Sequence, residues 1–395
     1  MLLRIPRLTR NATLAFLAVN LLLGAAWAQK ETVLYSFCSQ NECTDGAGPY
    51  GGLVFDKKGN LYGTAIGGGD YGYGAVFKVA PSGNETKLYS FSGSPDGASP
   101  YAGLVFDTKG NLYGTTYYGG PSTHGTVFKV APSGGETVLY SFTGGTDGAY
   151  PYAGLVLDKK GNLYGTAQQG GGNNLGTVFK VTPSGKEKVL HSFTRGSDGG
   201  NPYAGLIFDK KWNLYGTTEQ GGGNSEGTVF KVTPSGKETV LYSFCSETKC
   251  VDGQEPYAGL VFDKKWNLYG TTEQGGGNRN GTVFKVAPSG QETTLYNFCS
   301  QSGCTDGAYP FAGLVFDKKG NLYGTTEQGG ANGYGTVFKV TPSGQETVLY
   351  SFCSQSGCTD GAYPFAGLVF DKKGNLYGTT EEGGNGYGTV FKLVP

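Results

Sequence analysis

The chain has 395 residues, formally balanced at 31 basic and 31 acidic side chains, with 71 glycines and two histidines. That balance excludes the strongly basic surface typical of nucleic-acid binding, and glycine without a Gly-X-Y period or abundant proline excludes collagen. Glycine this frequent implies many tight turns.

Residues 1–28 read as an export leader. Arg4, Arg7 and Arg10 make a basic start, residues 14–23 an apolar stretch, and Ala26, Trp27 and Ala28 a small-x-small cleavage site. Cleavage before Gln29 removes three arginines and leaves 28 basic residues against 31 acidic, which argues further against a nucleic-acid partner. The apolar stretch is too short for a stable span, and no second apolar run of about 20 residues follows. A mature chain with no membrane span, secreted to the medium or the periplasm, is therefore expected.

The next element, residues 31–37, is Glu-Thr-Val-Leu-Tyr-Ser-Phe, rich in strand formers. Leu-Val-Phe-Asp, or a near variant, then begins at Leu53, Leu104, Leu155, Leu206, Leu260, Leu314 and Leu368. The intervals are 51 residues for the first three and 54 for the last three, in the range of solenoids and propellers. One unit, residues 204–244, holds four strand-like runs: a (Ala-Gly-Leu-Ile-Phe-Asp), b (Asn-Leu-Tyr-Gly-Thr-Thr), c (Gly-Thr-Val-Phe-Lys-Val) and d (Glu-Thr-Val-Leu-Tyr-Ser-Phe). Turn chemistry separates them, and no segment after the leader shows a helical apolar period. Seven four-stranded antiparallel meanders predict an all-β, seven-bladed β-propeller over residues 29–395. The chain ends on a c strand, residues 388–394, so residues 31–37 are expected to supply the missing outer strand of the last blade and close the ring.

The phrase Gly-Leu-Val-Phe-Asp-Lys-Lys-Gly-Asn-Leu-Tyr-Gly-Thr-Thr, followed by Gly-Thr-Val-Phe-Lys-Val and Glu-Thr-Val-Leu-Tyr-Ser-Phe, resembles the GloVer tandem repeat of bacterial exported proteins. Its core is similar to NHL-type blades. The resemblance spans essentially the whole mature chain and implies export and a repeat fold, with no activity to transfer. Members often end in a surface anchor; here no hydrophobic tail precedes Pro395, so release is expected.

Eight cysteines form four Cys-x4-Cys pairs, each just after a d strand: Cys38 with Cys43, Cys245 with Cys250, Cys299 with Cys304, and Cys353 with Cys358. Export favours local disulfides, whereas zinc would require sulfurs on different blades to converge. Asp45, Asp96, Asp147, Asp198, Asp252, Asp306 and Asp360 each precede a glycine between strand d and the next strand a. They read as turn caps in preference to a carboxylate ring holding a cation. Asp56, Asp107, Asp158, Asp209, Asp263, Asp317 and Asp371 end every a strand and read likewise. Trp212 and Trp266 replace glycine in the next turn, which suggests that the position does not demand positive φ. Gly67 to Gly72 satisfies G-x-G-x-x-G, but a strand follows where a dinucleotide site needs a helix. No cofactor or metal site is expected.

The repeats differ most just after Leu-Tyr-Gly-Thr. Blades 4 to 7 carry Glu219-Gln220, Glu273-Gln274, Glu327-Gln328 and Glu381-Glu382; blades 1 to 3 carry Ile66-Gly67, Tyr117-Tyr118 and Gln168-Gln169. His124 lies in a b-to-c loop, and His191 replaces the usual tyrosine of a d strand. The b-to-c and d-to-a loops should share one face, acidic and amide-rich, with the Lys-Lys turns on the other. Loop variation on a constant frame points to a non-enzymatic binding or scaffold protein, monomeric, taking a glycan or an extracellular protein through Tyr117, Tyr118, His124, Gln168, Gln169 and the Glu-Gln pairs. The alternatives are an extracellular lyase or hydrolase with its site on the same face, and a purely structural matrix protein.

Overall fold

The computed structural model describes residues 30–395, so the expected leader lies outside the described residues. In blade 1 the four strands are Val54–Phe55, Leu61–Ala65, Ala75–Val79 and Glu85–Ser90, paired antiparallel in chain order. Seven such sheets make a seven-bladed β-propeller. Strand c is apolar without alternation, and Val127, Phe128 and Val130 are all fully buried. A sheet covered on both faces by neighbouring blades requires that pattern, for the same reason a doubly covered parallel sheet does.

Ring closure is as expected. Lys30–Ser36 pairs antiparallel with Thr389–Val394, Thr32 opposite Lys392 and Val33 opposite Phe391. Side chains carry the closure onward into blade 1. Phe37 meets Phe77 edge-on at 4.8 Å, the same contact that Phe352 makes with Phe391 at 5.0 Å across the preceding seam. Thr379 Oγ1 donates to Gly51 O at 3.4 Å, as Thr64 Oγ1 donates to Ala102 O at 2.8 Å one seam later.

Strand a is shorter than its six-residue run suggests, pairing over two residues per blade. Crowding at the axis is the cause. A Cβ on Gly103 would lie 2.7 Å from Gly52 O, and one on Gly313 would lie 3.3 Å from Gly259 O, so backbones of successive blades meet directly and leave no room for a longer ladder. Strand b keeps a glycine for a different reason. A Cβ on Gly216 would lie 2.8 Å from Phe230 Cζ and 2.9 Å from Leu206 Cδ2, so its place is filled by the core phenylalanine of strand c.

Each a-to-b turn is held by the aspartate that ends strand a. Asp209 Oδ1 accepts from Lys211 N (2.8 Å) and Asn213 N (2.9 Å), and Oδ2 accepts from Asn213 Nδ2 (2.7 Å) and Tyr215 OH (3.1 Å). Partial burial opposes ionisation, yet these donors outweigh it and hold the carboxyl below its ordinary value. The turn imposes positive φ on whatever follows the second lysine. Gly161 has φ 81° and Gly320 86°, while Trp212 and Trp266 have 64° and 68°. The expectation that this position tolerates ordinary φ is therefore wrong: the two tryptophans adopt the left-handed conformation that glycine adopts elsewhere.

Four disulfides join Cys38 to Cys43, Cys245 to Cys250, Cys299 to Cys304, and Cys353 to Cys358, within loops of one face. The opposite, turn-bearing end of the axis opens as an apolar funnel of about 680 Å³ lined by Val54, Val261, Val315 and Val369. Gly67 to Gly72 form a loop leading into strand Ala75–Val79, with no helix for a phosphate. No helix among the described residues is long and apolar enough to cross a membrane.

Candidate functional site

Every repeat places Pro and an aromatic residue just ahead of strand a, and because strand a is innermost the aromatics gather at the axis. Tyr50, Tyr101, Tyr152, Tyr203, Tyr257, Phe311 and Phe365 form a closed circuit of ring contacts. Tyr50 stacks on Phe365 at 4.6 Å and Tyr101 on Tyr152 at 4.9 Å. Tyr50 also reaches Tyr152 and Phe311 edge-on at 6.0 and 6.3 Å, so the loop-face mouth of the channel is floored by aromatic rings. Above this floor lies a cup of about 420 Å³ bordered by Tyr117, Tyr118 and Glu381.

The variable pairs split between two jobs. The second member of each pair exchanges backbone hydrogen bonds with the d-to-a loop: Gly67 with Ala47, Tyr118 with Ala98, Gln169 with Ala149, Gln220 with Gly200, Gln274 with Gln254, Gln328 with Ala308, and Glu382 with Ala362; of these Tyr118 alone also borders the cup. The first member is turned towards the axis by strand alternation. Tyr117 OH donates to Gln168 Oε1 at 2.9 Å, Gln168 Nε2 donates to Tyr203 OH, and Tyr257 OH donates to Glu219 Oε1 at 2.8 Å. The structure thus brings Tyr117, Tyr118, Gln168, Glu219, Glu273, Glu327 and Glu381 around the aromatic floor. Gln169, Gln220, Gln274, Gln328 and Glu382 stand outside that inner ring.

Carboxylates on one side of the cup crowd each other. Burial, then the charges of Glu255, Glu327 and Glu219, push Glu273 up to about 7. Burial, then Glu382 and Glu327, raise Glu381. Burial raises the Tyr203 hydroxyl to about 12, with Glu219 and Glu273 adding to it, so it is a neutral donor. No lysine, arginine or histidine lines the cup. Its chemistry is that of aromatic faces beside acceptors: carboxylates over blades 4 to 7, hydroxyls and an amide over blades 2 and 3.

Both histidines take positions explained by local packing. His191 Nε2 lies 3.2 Å from Asp198 Oδ2, where tyrosine hydroxyls sit in other blades, as Tyr35 OH does on Asp45 at 2.6 Å. Burial lowers its pKa despite that partner. His124 packs on Tyr150 at 5.4 Å with Nδ1 buried and unpartnered. The aspartates that precede glycine accept local donors. Asp96, for instance, takes Tyr89 OH and Ser92 Oγ at 2.5 and 2.7 Å, which ties down the loop behind the cup.

Sequence reasoning missed the aromatic floor and the residue before each proline. That residue has positive φ in every blade, non-glycine in six: Ser99, Tyr150, Asn201, Glu255, Tyr309 and Tyr363. Tyr150 stacks by Tyr117 at 5.1 Å, and Glu255 accepts from Gln274 Nε2 at 2.7 Å. The signal was present as a constant Pro-aromatic step followed by strand a, but only placing strand a at the axis gives it meaning.

Solved structures share the architecture. The extracellular domain of a putative one-component system from B. thetaiotaomicron is 12% identical with a TM-score of 0.57; the match covers 92% of this chain, which spans 40% of that one. A putative 6-phosphogluconolactonase from Bacteroides uniformis is 15% identical over 84% of this chain and 89% of its own, with a TM-score of 0.53. At such identities the likeness is one of fold alone. No curated protein matches. The Gloeobacter/Verrucomicrobia repeat matches residues 27–224 and 187–391, nearly the whole propeller, and the chain belongs to that family.

Proposed function

We propose that this chain is an exported, non-enzymatic binding propeller whose loop-face cup takes a saccharide. One observation carries the reading: the positions that vary from blade to blade converge on an aromatic floor, where they set carboxylate acceptors and tyrosine rings and, among the described residues, no cation. Sugars offer apolar C–H faces to aromatic rings and hydroxyl donors to carboxylates, and they need no opposing charge. Exposed Tyr118, at 47%, and half-buried Tyr101 provide the stacking faces, while Glu327 and Glu381 provide acceptors and buried Gln168 holds Tyr117 and Tyr203 in place. Four disulfides support an oxidising compartment, as does the fold shared with an extracellular domain.

A glycan array probed with the wild-type chain and with Tyr118→Ala tests the reading. Binding to a defined set of saccharides, lost at least tenfold in Tyr118→Ala, is expected. An empty array, with a pull-down that captures an extracellular protein instead, would replace the saccharide with a protein surface.

A further inference from the structure

The opposite face carries a second arrangement that the cup does not use. Between blades 4 and 5 a groove of about 410 Å³ is lined by Lys210, Lys211, Lys231, Tyr215 and Trp266. The Trp266 indole lies under the Lys210 ammonium, 5.2 Å from ring centroid to Nζ, and remains 37% exposed. Trp212 occupies the same turn position one blade earlier and is 40% exposed. Among the described residues none of these three lysines forms an ion pair. The nearest acid of the groove, Asp209, has its carboxylate occupied by four donors of its own turn.

The backbone of this turn does not call for a large side chain. Five blades satisfy the positive φ of this turn with glycine, and only blades 4 and 5 place a large side chain there. Each indole does touch the phenylalanine of its own strand a, Phe208 or Phe262, edge-on at 5.1 Å. The blades that have glycine keep the equivalent phenylalanine or leucine packed without such a cover. A strained residue that the frame does not need is a mark of function.

We propose that this groove binds an acidic saccharide, with Trp266 stacking on a sugar face, Lys210, Lys211 and Lys231 pairing with its carboxylates, and Trp212, outside the groove at the same turn of blade 4, offering a further stacking face. An exposed indole face offers a flat apolar platform on which the C–H face of a sugar ring can lie. Unpaired lysines beside it select uronate units over neutral ones. Repetition of the stacking residue on adjacent blades suits a chain of sugars. The groove thus differs from the cup in chemistry: lysines border it where carboxylates border the cup.

The only tryptophans after residue 27 are Trp212 and Trp266, so indole fluorescence reports on this groove. The full chain carrying Trp27→Phe is titrated with an oligogalacturonate hexamer and with a neutral glucose hexamer. A saturable fluorescence change with the uronate alone is expected, weakened at least tenfold by Trp266→Gly and by Lys210→Gln with Lys211→Gln. Trp266→Gly should melt with the wild type, because glycine is native to that turn in five blades. Glu273→Gln, in the cup, should leave uronate affinity unchanged. Absence of saturation, an equal response to the neutral hexamer, undiminished affinity in Trp266→Gly, or loss of uronate binding in Glu273→Gln would each overturn the proposal.

Discussion

The blade frame and the inner rings of the loop face obey different rules, although both repeat seven times. In the frame each side chain closes a contact that the backbone cannot make alone: phenylalanines meet across every seam, Gly216 and its equivalents give up their side-chain space to a phenylalanine, and Asp209 and its equivalents bind their turns. Those positions scarcely change between blades. Around the cup the loops are held by backbone bonds instead. Glu219 N donates to Asn201 O at 3.1 Å and Gln168 N to Tyr150 O at 3.2 Å, whatever the side chains are. Side chains released from structural work are free to differ, which explains why variation collects where a ligand would sit.

The sharpest way to break this comparison is at the closing seam. Phe37→Ala removes a fully buried ring that joins the last blade to the first, and should cost roughly 3–5 kcal/mol in chemical denaturation. Deleting residues 30–36 should cost more and abolish the single cooperative transition. A loss near zero would mean that the seam does not hold the ring. Next in size is Gly216→Ala, where the added methyl meets Phe230 and should cost about 1–3 kcal/mol. Tyr118→Ala, exposed at the cup, should stay within about 0.5 kcal/mol of wild type by the same measurement. If the two variants proved equally costly, the division between frame and cup would fail.

A smaller effect distinguishes the two regions by pH. The glutamate that opens each d strand lies half-buried between blades. Burial first, with an aspartate of the neighbouring loop adding to it, raises Glu31, Glu85, Glu136, Glu187 and Glu238 to about 7 and Glu292 and Glu346 to about 8, from an ordinary 4.5. A carboxyl whose folded pKa lies above its unfolded one contributes full stability below pH 4.5, and loses it as pH rises through 7 to 8. The turn aspartates, held below 3.8, act in the other direction and lose their contribution only in stronger acid. Melting temperature should therefore peak at about pH 4 to 4.5 and decline from there towards pH 8. Glu→Gln at these seven positions should flatten the decline; a profile that rises to pH 8 would contradict the assignment.

Much of the frame was legible because it is local and repeated. The spacing of Leu-Val-Phe-Asp counts the blades, the unaccompanied Glu31 to Phe37 segment points to closure, and Cys-x4-Cys reads as a local bridge. What was not legible depends on contacts between repeats some fifty residues apart. Periodicity cannot say that Gly52 and Gly103 meet at the axis and so shorten strand a, or that Tyr50 leans across to Phe311. Trp212 misled for a related reason: a tryptophan argues for ordinary φ, but the Asp209 bonds set the turn before the side chain has any say. For the cup, the variable pairs were visible as variation, while the split between an axial member and a backbone-paired member required strand direction.

The most direct test is a crystal structure of the chain bound to the saccharide selected on the array. The account predicts density above the Tyr50 and Tyr101 rings, with sugar hydroxyls within hydrogen-bond distance of Glu381 or Glu327. Density confined to the outer rim of the blades, with the cup holding solvent alone, would contradict it.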